Sequence, residues 1–321
     1  MKRDMYQEIT DSVLESLQKG TIPWEKPWSA NAKRVQPRSV STGKVYRGIN
    51  WMLLSMMQGM YESPWWLTFK QARKLGGAVK KGEKATVVVL WQFIDQKHPA
   101  GHPKFGQPTG KRIPILKHFN VFNLDQCEMP EEVTDRLAKR LDRVAGPHVE
   151  TGTEIKGKNV EIAHSKTSEY LDRENIQLKT NSQIAAYSPS TDTIMMPEVS
   201  TFNAAEAYLA TLLHECVHST GIKKRLDRGI ESNGSKGSES YAREELVAEL
   251  GSAFAASRLG IDVPVVTDNR DAYIANWMKA LEQDKKAIIW AAGRAEKATK
   301  FMLGEVDEDA EPESKLEYNK K

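Results

Sequence analysis

The stretch that decides the reading of this chain is His214-Glu215-Cys216-Val217-His218, at the end of Ala204-Ala205-Glu206-Ala207-Tyr208-Leu209-Ala210-Thr211-Leu212-Leu213. The run before it is rich in Ala and Leu and reads as a helix. On a helix, positions i and i+4 share one face, so His214 and His218 can both reach one cation. Glu215 sits beside them, placed to act as general base for a water activated by that cation. This is the H-E-x-x-H arrangement of zinc hydrolases. Leu209, Leu212, Leu213 and Val217 make the helix apolar and therefore buried. Buried imidazole and carboxylate groups need partners, which argues against an ordinary surface helix.

A catalytic zinc site takes about three protein ligands and keeps one position open. Residues 240–255 supply a second helix, with Ser238 or Ser240 as its N-cap. Glu245 and Glu249 lie four apart on one face. Glu245 is the expected third ligand. Glu249 is the runner-up, or the carboxylate that holds a ligating imidazole by its other nitrogen. Glu244 points about 100° away on the helical wheel and is the weaker choice. The expected cofactor is Zn2+, with another divalent ion such as Mn2+ as the alternative. Tyr187 and Tyr241 are the candidate oxyanion donors. Cys216 faces elsewhere on the helix and reads as a packed thiol.

Composition widens the frame. The chain has 321 residues, 40% hydrophobic and 28% charged, which suits a globular protein of two domains. No apolar run is long enough to span a bilayer. The first residues show no secretory h-region. Cys127 and Cys216 are the only cysteines, so no disulfide framework is expected and a reducing, cytoplasmic location suits the chain.

Charge is divided unevenly. Residues 1–125 carry 20 Lys and Arg against 9 Asp and Glu, a net of +11; residues 126–321 carry 26 against 34, a net of −8. The first part also holds six of the eight tryptophans: Trp24, Trp28, Trp51, Trp65, Trp66 and Trp91. Aromatic faces stack on unpaired bases while cations follow the phosphates, which is the chemistry of single-strand binding. About half of these rings are expected in the core. Trp24, Trp28, Arg47 and Lys70 are the expected exposed DNA contacts.

Local patterns give an α+β reading. Residues 4–19 are expected as an amphipathic helix ended by Gly20. Asn50 is expected to cap one helix and Thr68 another, and two strands are expected over 85–94 and 113–122 around a loop at 98–110. The expected division is a small basic DNA-binding domain at 1–125, a linker at 126–150, the metal-bearing domain at 151–304 and an acidic disordered tail at 305–321. Within the second domain, short strands are expected at 160–163 and 184–187, an edge strand at 193–197, and late helices at 272–281 and 284–303.

Several runs resemble the ArdC-type antirestriction proteins of conjugative plasmids and phages. They are residues 20–28 (Gly-Thr-Ile-Pro-Trp-Glu-Lys-Pro-Trp), 42–50, 66–72, 81–84, 121–126, 214–221, Arg225-Leu226 and 241–254. The resemblance covers most of residues 5–303, with the runs in the family's order. It implies an N-terminal single-stranded-DNA-binding domain and a C-terminal zincin-like metallopeptidase domain, with metal ligands at His214, His218 and a Glu of the later helix. It also implies protection of incoming plasmid or phage DNA from host restriction, with a protein of the restriction machinery as a conceivable peptidase substrate. The alternative is a single-stranded-DNA-binding shield whose metal site is structural or inactive.

Overall fold

The computed structural model describes residues 4–24, 36–58, 60–145, 153–230, 238–261 and 270–305. The chain divides into two compact units, one of residues 1–156 with 265–289, the other of 157–264 with 290–321. The α+β expectation holds. Among the described residues, no helix is long and apolar enough to cross a membrane.

The first unit begins with α1 (Met5–Gln18). Asp4 caps it by accepting from the N–H groups of Tyr6 and Gln7, and Ile9, Val13 and Leu17 form its buried stripe. Gly20 follows with φ +72°, a conformation that favours glycine just past a helix end. Next come β1 (Arg38–Ser39), α2 (Gly48–Gln58), β2 (Trp65–Thr68), α3 (Phe69–Lys74) and β3 (Ala78–Val79). Thr68 and Gln71 form a reciprocal capping box on α3. Asn50 does not cap α2. Its amide instead donates to the Val89 carbonyl and accepts from the Val89 N–H, both at 2.7 Å, and so fastens the helix to a strand.

That strand is β4 (Thr86–Lys97), which pairs antiparallel with β5 (Pro108–Asn123) in the sheet order β1-β2-β5-β4. The loop between them falls where the glycine and proline pattern placed it. β2 pairs with β5 only over Val121–Asn123. Among the described residues, Val87–Lys97 and Pro108–Asn120 therefore form a two-stranded arm.

Of the segment 126–150, read as a linker, the described residues 126–145 are part of this unit. It contains β6 (Cys127–Glu128), paired with β3, and α4 (Glu131–Ala145). Val133 and Leu137 of α4 join Trp65, Leu67, Ala72 and Cys127 in one apolar cluster. Its surface is charged enough to resemble a connector, but its apolar residues recur at helical spacing. Arg140 reaches back to the Val40 carbonyl at 2.9 Å.

The second unit opens within α5 (Thr153–Glu174), so the strand expected at 160–163 is helical. Ala163, Thr167, Tyr170 and Leu171 are buried at a spacing that fits a helix and not a strand. A small sheet follows, made of β7 (Gln177–Lys179), β8 (Ala186–Ser188) and β9 (Thr193–Met195), in the order β7-β9-β8. β9 is thus the central strand and not the expected edge. Pro197 suggested an edge, but the strand ends before it, and Ile194 and Met196 are fully buried. Then come α6 (Ala205–Ser219), α7 (Glu239–Leu259), α8 (Arg270–Gln283) and α9 (Ala287–Leu303). Of these, α8 falls in the first unit. Except for Glu305, the acidic tail lies outside the described residues.

Candidate metal centre

α6 carries the H-E-x-x-H residues and α7 the acidic set. Ser238 caps α7 through the Tyr241 N–H, and Gly260 ends it with φ +69°. The two helices pack together, with Gly251 of α7 against Val217 of α6, and their apolar residues Leu209, Leu212, Leu213, Cys216, Leu246, Val247, Leu250 and Phe254 are buried. Burial also pushes the Cys216 thiol well above the ordinary range, so it stays a packed thiol.

His214 and His218 turn their Nε2 atoms toward one another at 3.1 Å. Glu245 closes the triangle, with one oxygen 3.6 Å from His214 Nε2 and the other 3.4 Å from His218 Nε2. Their ligand atoms lie within 4.8 Å of one another. Donors around a tetrahedral ion with bonds of ~2.1 Å stand about 3.4 Å apart, so the three side chains are close enough to hold a single divalent ion. Two neutral imidazoles and one carboxylate are also a donor set that such an ion accepts.

Behind each imidazole stands a carboxylate. Glu249 faces His214 Nδ1 at 3.6 Å, and Glu244 faces His218 Nδ1 at 3.4 Å. Glu244 is itself gripped by Arg228, whose Nε and Nη2 donate to its two oxygens at 3.0 and 2.6 Å. Arg228 also donates to the Thr220 hydroxyl and the Val217 carbonyl, which fixes it to the end of α6. A carboxylate on the far nitrogen sets the tautomer that leaves Nε2 free to ligate. Glu244, the weaker choice as a ligand from helix geometry, stands in that supporting place. Arg228 was not singled out in the sequence, because it comes from the loop after α6.

The electrostatics follow from crowding. Burial alone would lower His218, but Glu244 and Glu245 outweigh it and hold the imidazole up at about 10. Burial would raise Glu245, yet the two imidazoles hold it well below the usual carboxylate range. Glu249 has less compensation, and burial raises it. The carboxylates thus hold protons on the imidazoles, and a bound cation would take the place of those protons. Glu215 lies on α6 next to His214 and is 7% exposed.

The two tyrosines separate. The Tyr187 hydroxyl donates to Asp192 Oδ1 at 2.7 Å and so is already engaged. Tyr241 lies one turn before Glu245 on α7 and shares its face. Asp192 belongs to a different network. Arg225, with a fully buried side chain, holds both Asp192 oxygens at 2.8 and 2.9 Å, as well as Glu174 and the Ser219 carbonyl. It thereby joins the turn before β9 and the end of α5 to the end of α6.

The expected DNA contacts fare differently. Trp24 is buried, not exposed: it is 4% accessible and packs edge-on against Trp277 of α8, with ring centroids 5.1 Å apart. Its basic, proline-flanked surroundings suggested an open loop, and its partner lies far along the chain. Trp28 lies outside the described residues. Arg47 and Lys70 are exposed, before α2 and in the first turn of α3.

Residues 3–122 match the N-terminal domain of anti-restriction factor ArdC, and residues 165–294 match a zincin-like metallopeptidase domain. Among solved structures, the chain is similar to the antirestriction ArdC protein from the R388 plasmid. The metal-free crystal structure is 34% identical with a TM-score of 0.70, covering 94% of this chain and 98% of that one. The Mn(II)-bound structure is 33% identical with a TM-score of 0.69, covering 96% and 100%. An uncharacterized protein, y4eC, of Sinorhizobium fredii (strain NBRC 101917 / NGR234) is 31% identical over 93% of this chain and 91% of its own length. A DNA primase TraC of Escherichia coli is 35% identical over 94% of this chain, which spans only 27% of that protein.

Proposed function

This chain belongs to the ArdC family of antirestriction proteins, and from that premise we propose that it joins a single-stranded-DNA-binding unit to a divalent-metal peptidase unit. Together they protect incoming plasmid or phage DNA from restriction in the recipient's cytoplasm. The observation that carries the reading is the triangle of His214, His218 and Glu245, with a carboxylate behind each imidazole. The Mn(II)-bound relative supports a divalent ion at such a centre. Zn2+ is the ion we favour, because two imidazoles and one carboxylate leave a fourth position open.

An ion held by His214, His218 and Glu245 would supply Lewis acidity, enough to make water a nucleophile near neutral pH and to polarise a peptide carbonyl. The chain's own groups do the rest. Glu215 accepts the proton as water attacks and passes it to the leaving amine. Tyr241, on the face of α7 that carries Glu245, is the candidate donor to the oxygen that gains charge. Glu244 and Glu249 hold the two imidazoles in place. The basic first unit supplies the attraction for DNA, and a protein of the restriction machinery is the proposed peptidase substrate.

Elemental analysis of purified protein tests the centre. Wild type should carry one divalent ion per chain, and His214→Ala should carry none. Undiminished stoichiometric metal in His214→Ala would remove the assignment.

A further inference from the structure

Trp91 stands apart from the other described tryptophans of the first unit. Trp24, Trp65 and Trp66 are buried and Trp51 is half-buried, whereas Trp91 is 45% exposed. It sits on the two-stranded arm, paired with Leu116, where β4 and β5 have no other strand beside them. A ribbon of two strands is weakly stable by itself and gains little from an indole turned to water.

The surroundings of Trp91 hold aromatic and cationic groups from three separate segments. The Tyr6 ring of α1 lies 6.5 Å from the Trp91 ring at 55°. The Lys286 ammonium, from the turn before α9, stands 5.7 Å over the Tyr6 ring. Strand alternation puts Arg112 and His118 of β5 on the Trp91 face, with Asp95 opposite Arg112 as the one acid of that face. Residues 86–123 as a whole carry five cations, Lys97, Lys104, Lys111, Arg112 and Lys117, against Asp95 alone. The opposite face of the arm is different in kind. There the exposed apolar residues Leu90, Ile94 and Ile113 lie along the face with one aromatic ring, Phe119, and the cation Lys117.

We propose that a single DNA strand crosses the Trp91 face of the arm. A base stacks on Trp91 beside Tyr6, and Lys286 and Arg112 draw the flanking phosphates. The placement rests on the reading that the first unit binds single-stranded DNA. Its chemistry is specific to unpaired bases: an exposed indole offers a stacking surface to any base, whereas a duplex has no base face to give it. The cations attract either form, so the ring and not the charge makes the distinction.

The test uses the full chain with a labelled oligothymidine and a duplex of equal length, titrated at two salt concentrations. Trp91→Ala should weaken single-strand binding by roughly 5- to 150-fold, the range for one lost stacked base, and leave duplex binding unchanged. Trp91→Phe should restore most of the affinity, since it keeps a ring. Lys286→Gln should make the salt dependence of log K shallower by about 0.7, one phosphate contact fewer. Phe119→Ala, on the other face, should bind as wild type. Wild-type protein that fails to bind oligothymidine would overturn the DNA-binding reading itself. Wild-type binding with undiminished binding by Trp91→Ala would overturn only this placement, as would a loss seen with Phe119→Ala in its stead. Thermal melting of each variant, expected to match wild type, separates contact loss from misfolding.

Discussion

Gly251 of α7 lies so close to Val217 of α6 that a Cβ there would stand 2.8 Å from Val217 Cγ2 and 2.9 Å from Cγ1. The two helices that carry the metal residues therefore meet at a point only glycine allows. Gly251→Ala should gain about 0.5–1 kcal/mol of helix preference. It should lose about 1–3 kcal/mol to overpacking, so the steric term wins. The expected outcome is a lower melting temperature together with weaker metal binding, measured by melting and by competition with a chelator. A variant more stable than wild type, with full metal affinity, would show that the helices separate freely.

Glu244 acts through His218. Glu244→Gln keeps the size of the side chain but removes the charge that fixes the imidazole tautomer and pairs with Arg228. Metal affinity should fall by about 10- to 100-fold, the usual range for losing such a partner. Titration with a metal indicator measures it, and unchanged affinity would leave Glu244 a purely structural residue.

Arg225 is the fastening of the second unit. Its side chain is fully buried, and its loss would leave Asp192 with Lys224 and Tyr187 and Glu174 with Arg173. Arg225→Met should destabilise the fold by less than the roughly 3–5 kcal/mol of a fully uncompensated buried charge, because Lys224 and Arg173 still face the two carboxylates. Denaturant unfolding of the wild type and the variant gives the difference.

Asp192 adds a pH dependence to that fastening. Burial would raise its carboxyl, but its bonds from Arg225, Lys224 and Tyr187 bring it down from 3.8 to about 2. A lowered folded value means the unfolded chain takes up the proton first as pH falls. The contribution is therefore full above about pH 4, and it is lost between about 4 and 2. Urea midpoints across this window should fall more steeply for the wild type than for Asp192→Asn. Parallel curves would assign the acid sensitivity to other groups.

The ligand triangle was legible because helical spacing is a local property. His214 and His218 declare a shared face, and Glu245 with Glu249 declares another. What those faces meet is not local. Glu244 is held by Arg228 from a loop, and no periodicity predicts that. Trp24 looked exposed because prolines and lysines surround it, while its burial depends on Trp277, from a helix much later in the chain. The same tertiary override placed α4 in the first unit's core despite its charged surface. Strand and helix were confused at Val160–Ala163 because four apolar-leaning residues are too few to fix a period; Thr167, Tyr170 and Leu171 extend it to a helical one.

The central claim is that the metal centre works as a peptidase and that protection depends on it. Transfer of an unmodified plasmid into a restricting host, with the donor DNA encoding either wild type or Glu215→Gln, tests this most directly. The variant keeps His214, His218 and Glu245, so it should retain the metal and bind oligothymidine as wild type does. The account predicts that it fails to protect the incoming plasmid. Full protection by Glu215→Gln would contradict it and leave DNA binding alone as the shield.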